Sequence, residues 1–145
     1  MTKACPISME QINEKLVRLN ALCTMLFLFL FIFTSLKLMI IFLTADFFMR
    51  AFGNIKYSLF ATVNNKLLKI FQVQAVMTNA GPKKFAVKLG FMFCIIISLC
   101  FVLGMNFIAH FLALIMFVLA SLEFFIGYCV GCKAYALLLK AGVKL

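Results

Sequence analysis

Charge is what this sequence has least of. Only 12% of its 145 residues are Asp, Glu, Lys or Arg, against 66% hydrophobic, and the mean hydropathy is +1.16. A water-soluble domain of this size could not tolerate such a surface, so that class is excluded and an integral membrane protein is expected. The length leaves room for one membrane domain, residues 1–145, and no separate soluble one, which places every motif in or near the bilayer. Motifs that read RNA or DNA are missing, so the net charge of +10 points to anionic lipid and not to nucleic acid. No small-x-small cleavage site follows the first apolar run, and Glu10 and Glu14 precede it; the run reads as a permanent anchor rather than a signal peptide. Internal repeats, low-complexity segments and a doubled C-x-x-C zinc pattern are likewise absent.

What is present is apolar sequence in helical lengths. Ser8-Met9-Glu10-Gln11 fits a capping box, so a helix is expected to start near Met9, with Glu14 and Arg18 spaced for an i,i+4 ion pair. The apolar region from Leu19 to Phe52 is too long for one crossing of a core about 30 Å thick, which takes about 20 residues. Thr34-Ser35-Leu36-Lys37 is its polar interruption, which predicts a hairpin with spans from Leu19 to Ser35 and from Leu38 to Phe52. Tyr57 to Val76 places Ser58, Thr62, Asn65, Lys69 and Gln72 opposite Leu59, Phe60, Val63, Leu67 and Ile70, the pattern of an interfacial amphipathic helix. Asn79-Ala80-Gly81-Pro82 marks a turn before a span from Phe85 to Leu103. Gly104-Met105-Asn106 separates that from a span at Phe107 to Tyr128. The expected fold is therefore all-α: a bundle of four transmembrane helices with an interfacial helix between the second and third.

Lys and Arg cluster before the first span, around the central loop and after the fourth span, while the two short loops of the opposite side hold only Lys37. The positive-inside rule then places both termini and the amphipathic helix in the cytoplasm. Cys5, Cys129 and Cys132 fall on that same side. Cys129 and Cys132 form a C-x-x-C flanked by Gly127 and Gly131, and a helix opening near Cys132, together with Lys133, would favour thiolate. Such a pair can exchange disulfides, carry sulfur or, with Cys5, hold a soft metal ion; the plainer alternative is small residues packing a helix end. Asp46 and Arg50 lie i,i+4 in the second span and read first as an ion pair that fixes packing. Glu123, with no partner on its own helix, is expected to answer Arg18 or Arg50, or to move protons for the thiols. Cys23, Cys94 and Cys100 read as packing, and His110 as an interfacial residue on the outer side.

Cys5-Pro6, Val17-Arg18-Leu19-Asn20-Ala21, Asp46 to Gly53, Lys56-Tyr57-Ser58, Gly81 to Ala86 and Glu123 to Cys132 occur in this order. In these motifs, spread over nearly the whole chain, the sequence resembles a family of small bacterial inner-membrane proteins known as domain of unknown function 4395. The resemblance supports the hairpin near Ser35 and implies a thioredoxin-like or sulfur-handling partner; it brings no activity and no cofactor. The leading expectation is a cytoplasmic-face thiol site in which Cys129 and Cys132 exchange disulfides or relay sulfur. Cys5 would serve as a third thiol, with Asp46, Arg50 and Glu123 tuning charge. The alternatives are binding or transport of a soft metal or small sulfur species by Cys5, Cys129 and Cys132, and a membrane scaffold without catalysis.

Overall fold

The computed structural model describes residues 11–53, 58–74 and 76–142. A short strand β1 (Gln11–Asn13) leads into α1 (Glu14–Thr34), followed by α2 (Lys37–Phe52), α3 (Leu59–Ile70), strand β2 (Met77–Asn79), α4 (Ala80–Val102), α5 (Asn106–Phe125) and α6 (Val130–Lys140). The fold is helical apart from one antiparallel two-stranded ribbon. Helices α1, α4 and α5 are long and apolar enough to cross a membrane. At 16 residues, α2 measures only about 24 Å at a rise of about 1.5 Å per residue.

The start of α1 differs from the capping-box expectation, whose Ser8, Met9 and Glu10 lie outside the described residues. The backbone of Gln11 to Asn13 is engaged in a ladder, with Ile12 opposite Thr78, and Glu14 N–H donates to the Val76 carbonyl at 2.8 Å. Asn13 caps the helix instead, its side chain accepting from Lys15 N–H at 3.1 Å with Glu14 in the first turn. The break after α1 falls where the polar interruption lies. Ser35 takes the left-handed conformation at φ 51° and Leu36 is extended before α2 begins at Lys37.

Three other boundaries move. α3 is shorter than Tyr57 to Val76: Ser58 caps it, accepting from Ala61 N–H at 3.3 Å, and Gln72 at φ 50° turns the chain toward β2. Tyr57 itself lies outside the described residues. The expected turn at Asn79 to Pro82 is the end of β2 and the first turn of α4, where a proline's missing N–H removes no helical bond. α5 stops at Phe125 and not at Tyr128, since Gly127 adopts φ 73° and takes the chain out of the helix.

α1 packs against α2 and α5, and α4 against the same two, so four helices close a ring; α3 lies on α1 and α6 on α4. Leu28, Phe31, Ile40, Leu43, Cys94 and Ile97 fill its centre. On α5, Ala109, Ala113, Met116 and Ala120 recur three or four residues apart along the buried face, and the alanines let neighbouring backbones approach closely. Large apolar side chains such as Phe33, Leu38, Leu99, Val102 and Phe107 point outward, uncovered.

The ring has two chemically distinct ends. At one, Ser35 Oγ lies 3.1 Å from His110 Nε2, and the imidazole stacks on Phe31 with centroids 5.3 Å apart. At the other, Lys83 of α4 meets Glu123 of α5, beside the start of α6.

Candidate functional site

Gly127 turns the chain so that Cys129 becomes the N-cap of α6 and Cys132 its third helical residue, so the two cysteines do not sit on a helix face of their own as i,i+3 neighbours. Cys129 is extended (φ −93°, ψ 106°), and its Sγ accepts the backbone N–H of Cys132 at 3.3 Å. A sulfur in that position does what a serine or aspartate does at other N-caps, and it gains most when it carries charge. The glycines are demanded by close approach. A Cβ on Gly131 would stand 2.6 Å from Ala86 Cβ of α4, and one on Gly127 2.5 Å from Arg18 Nη2.

The two thiols are pushed in opposite directions. The hydrogen bond from the Cys132 side chain holds Cys129 below the ordinary thiol range, helped by the Cys132 backbone amide and the Lys83 ammonium against burial and the Glu123 carboxylate. Donation of that hydrogen bond raises Cys132 well above the ordinary range, and burial and the negative charge of Cys129 raise it further. Of the two, the first sulfur is the one favoured as thiolate and the second the one that keeps its proton. This is the division between an attacking and a resolving thiol.

Glu123 finds neither Arg18 nor Arg50. Its Oε1 accepts from Lys83 Nζ at 3.1 Å, with the two side chains 22% and 13% exposed. Arg18 instead pairs with Glu14 at 3.1 Å on its own helix, where the i,i+4 spacing places it. Lys83, the partner of Glu123, is the residue at this site that sequence reading passed over as one more cation beside the central loop. Its signal was a lysine at the mouth of an apolar helix in a chain whose fifth helix carries a single acid.

Asp46 and Arg50 form a separate and deeper pair, 1% and 6% exposed. Ser58 Oγ donates to Asp46 Oδ1 at 2.6 Å and accepts from Arg50 Nε at 3.2 Å, and the Phe60 N–H points to the same carboxylate oxygen at 3.4 Å. The guanidinium also lies over the rings of Phe47 and Phe60, at 5.1 and 5.5 Å. This cluster ties the end of α2 to the first turn of α3. Asn64 Nδ2 adds a second tie, donating to Asn20 Oδ1 on α1 at 2.7 Å. Neither asparagine stood out in the sequence, because each occupies one polar position in a stretch whose pattern is set by its neighbours.

One cavity of about 160 Å³ joins these groups: Arg50, Lys83, Glu123 and Cys129 contribute to a lining that is otherwise largely apolar. Cys94 is fully buried with its thiol 3.8 Å from Met116 Sδ, Cys23 lies against Asn64, and both are free thiols in packed surroundings. Cys5 lies outside the described residues. Among the described residues no three His, Cys, Asp or Glu side chains gather as a metal site. No curated protein and no solved structure matches the chain. A family model does match, over residues 12–140, and the chain belongs to that family, the Domain of unknown function (DUF4395).

Proposed function

We propose that the protein is a four-span membrane protein of the bacterial inner membrane whose Cys129 and Cys132 exchange disulfides with a thioredoxin-like or sulfur-handling partner at the cytoplasmic face. The observation that carries the reading is the N-cap position of Cys129, with its sulfur on the Cys132 amide beside the Lys83–Glu123 pair. In the exchange, the Cys129 thiolate attacks a partner disulfide and forms a mixed disulfide, and the displaced partner sulfur leaves as thiolate and is protonated. Cys132 then loses its proton and attacks Cys129 Sγ. The partner departs with both sulfurs reduced, and a Cys129–Cys132 disulfide holds the two-electron oxidation. In this reading Glu123, paired with Lys83, takes and returns the Cys132 proton. Cys5, on the same predicted side, serves as a third thiol that resolves or relays.

Four crossings put both termini and the thiols on one side. The ring geometry supports this, since α2 pairs with α4 along its length and its outward residues Leu38, Ile41 and Phe48 are exposed and apolar. In the same scheme α3 rests in the interface of an anionic membrane, with Leu59, Val63, Leu67 and Ile70 exposed in one stripe and Lys66 and Lys69 beside it.

Trapping tests the chemistry. A Cys132→Ser chain should accumulate a mixed disulfide with its partner that mass spectrometry identifies and that Cys129→Ser abolishes. A Cys129→Ser, Cys132→Ser double variant that complements a deletion in full would remove the thiol function. Sidedness tests the topology: with an impermeant thiol reagent on intact cells, a chain retaining only Cys132 should stay unlabelled and one carrying only Lys37→Cys should label.

A further inference from the structure

Run in reverse through the same mixed disulfide, the exchange leaves the partner oxidised and Cys129 and Cys132 reduced; that dithiol then needs a two-electron acceptor to turn over, and the cavity beside it has the chemistry of one class. Of the two sulfurs, Cys129 and not Cys132 belongs to the cavity lining. Leu16, Val17, Ala21, Val87, Phe93 and Leu119 give the cavity apolar walls on α1, α4 and α5, the three helices able to cross a membrane, with Asn20 and Thr24 as neutral polar groups among them. At about 160 Å³, the space is close to the roughly 150 Å³ of an apolar protein cavity that accepts benzene, the volume of one six-membered ring. The three cations of the lining are all engaged, Arg50 with Asp46, Lys83 with Glu123, and Lys84 in an interaction of its own, so none is left to fix an anionic head group. A neutral ring with carbonyl oxygens, by contrast, could accept a hydrogen bond from Lys83 while its apolar substituent lay among the helices.

We infer that this cavity binds the ring of a membrane quinone, and that the quinone is the two-electron acceptor that reoxidises the Cys129–Cys132 dithiol; this rests on the thiol-exchange reading above. The Cys129 thiolate adds to a ring carbon, the ring takes up the electron pair, and one quinone oxygen is protonated. Cys132, deprotonated, attacks Cys129 Sγ and breaks the carbon–sulfur bond, whose electrons stay with the ring. The second oxygen takes the proton released by Cys132. Dithiol and quinone become disulfide and hydroquinone, with two electrons and two protons transferred. Lys83 and Glu123, which line the cavity together with Cys129, are the groups available to pass those protons.

The full chain, reduced and free of excess reductant, is mixed anaerobically with a short-tailed ubiquinone or menaquinone analogue; quinone absorbance and remaining thiols are followed together. Loss of about one quinone per Cys129–Cys132 pair oxidised is expected for a two-electron couple, with none in Cys129→Ser or Cys132→Ser. Val87→Phe and Leu119→Phe place extra bulk in the cavity and should each slow quinone reduction by roughly tenfold or more. Both should leave exchange with a small-molecule disulfide at the wild-type rate, which also reports that the variant is folded. Wild-type protein that exchanges disulfides at Cys129 yet leaves quinone unreduced would overturn the quinone site and leave the thiol reading standing. Protein inert toward both would overturn both, and quinone reduction unaffected by either phenylalanine would move the reaction out of this cavity.

Discussion

The two ends of the helical ring are built from the same apolar helices and differ in nearly everything else. At the Ser35 end the polar features include a tight turn, Lys37 and one imidazole, which stacks on Phe31 and meets Ser35 Oγ and the Asn106 carbonyl. The Cys129 end holds three ion pairs, two buried side-chain links to α3, a ribbon, three capped helix starts and the cysteine pair. Polar groups are costly among apolar helices and persist where they are partnered. Their concentration at one end supports the proposed thiol chemistry there, and the other end is what a connection looks like with fewer such groups.

Substitutions sharpen the contrast, and the largest effect belongs to Asp46. Replacing it with alanine leaves the Arg50 guanidinium buried without its charge partner, and unfolding in detergent should show a loss of about 3–5 kcal/mol. Gly131→Val comes next: its Cβ would meet Ala86 of α4, and overpacking of this kind costs about 1–3 kcal/mol. The same change should lift Cys129 away from Lys83 and slow its alkylation. Lys83→Gln and Glu123→Gln pull in opposite directions, because the ammonium lowers and the carboxylate raises the Cys129 titration. With Lys83→Gln the onset of Cys129 alkylation should move to higher pH, and with Glu123→Gln to lower pH; equal shifts of one sign would contradict the assigned geometry. His110→Ala, at the Ser35 end, should change stability by no more than about 0.5 kcal/mol and leave alkylation untouched.

Which parts were legible in the sequence follows from what sets them. The hairpin at Ser35 could be read because polar residues interrupt an apolar run at a place that bilayer thickness also requires. The i,i+4 pairs Glu14–Arg18 and Asp46–Arg50 were legible because helical spacing alone brings them together. Glu123 was legible as a charge needing a partner, but Lys83 was not, since the contact joins residues on different helices and depends on how α4 and α5 pack. The β1–β2 ribbon escaped for a similar reason. Three-residue strands carry no periodicity, and Ile12 pairs with Thr78 across most of the first half of the chain. At the C-x-x-C a helix opening near Cys132 was legible, and α6 does begin at Val130, but the place of Cys129 at its cap was not. Gly127 at positive φ made Cys129 a cap, which is a consequence of local backbone conformation that residue spacing does not report.

The central claim is that Cys129 is an activated thiol and Cys132 a proton-holding one. Its most direct test is the alkylation rate of each, followed by mass spectrometry of the intact, reduced protein over a pH series. A free thiol titrates near 8.5. A group held below the ordinary thiol value is already thiolate between its own midpoint and the ordinary one, so Cys129 should react at lower pH than a free thiol and ahead of Cys132, which should stay unreactive into alkaline solution. Equal rates with a shared midpoint at the ordinary thiol value, or Cys132 reacting first, would contradict it.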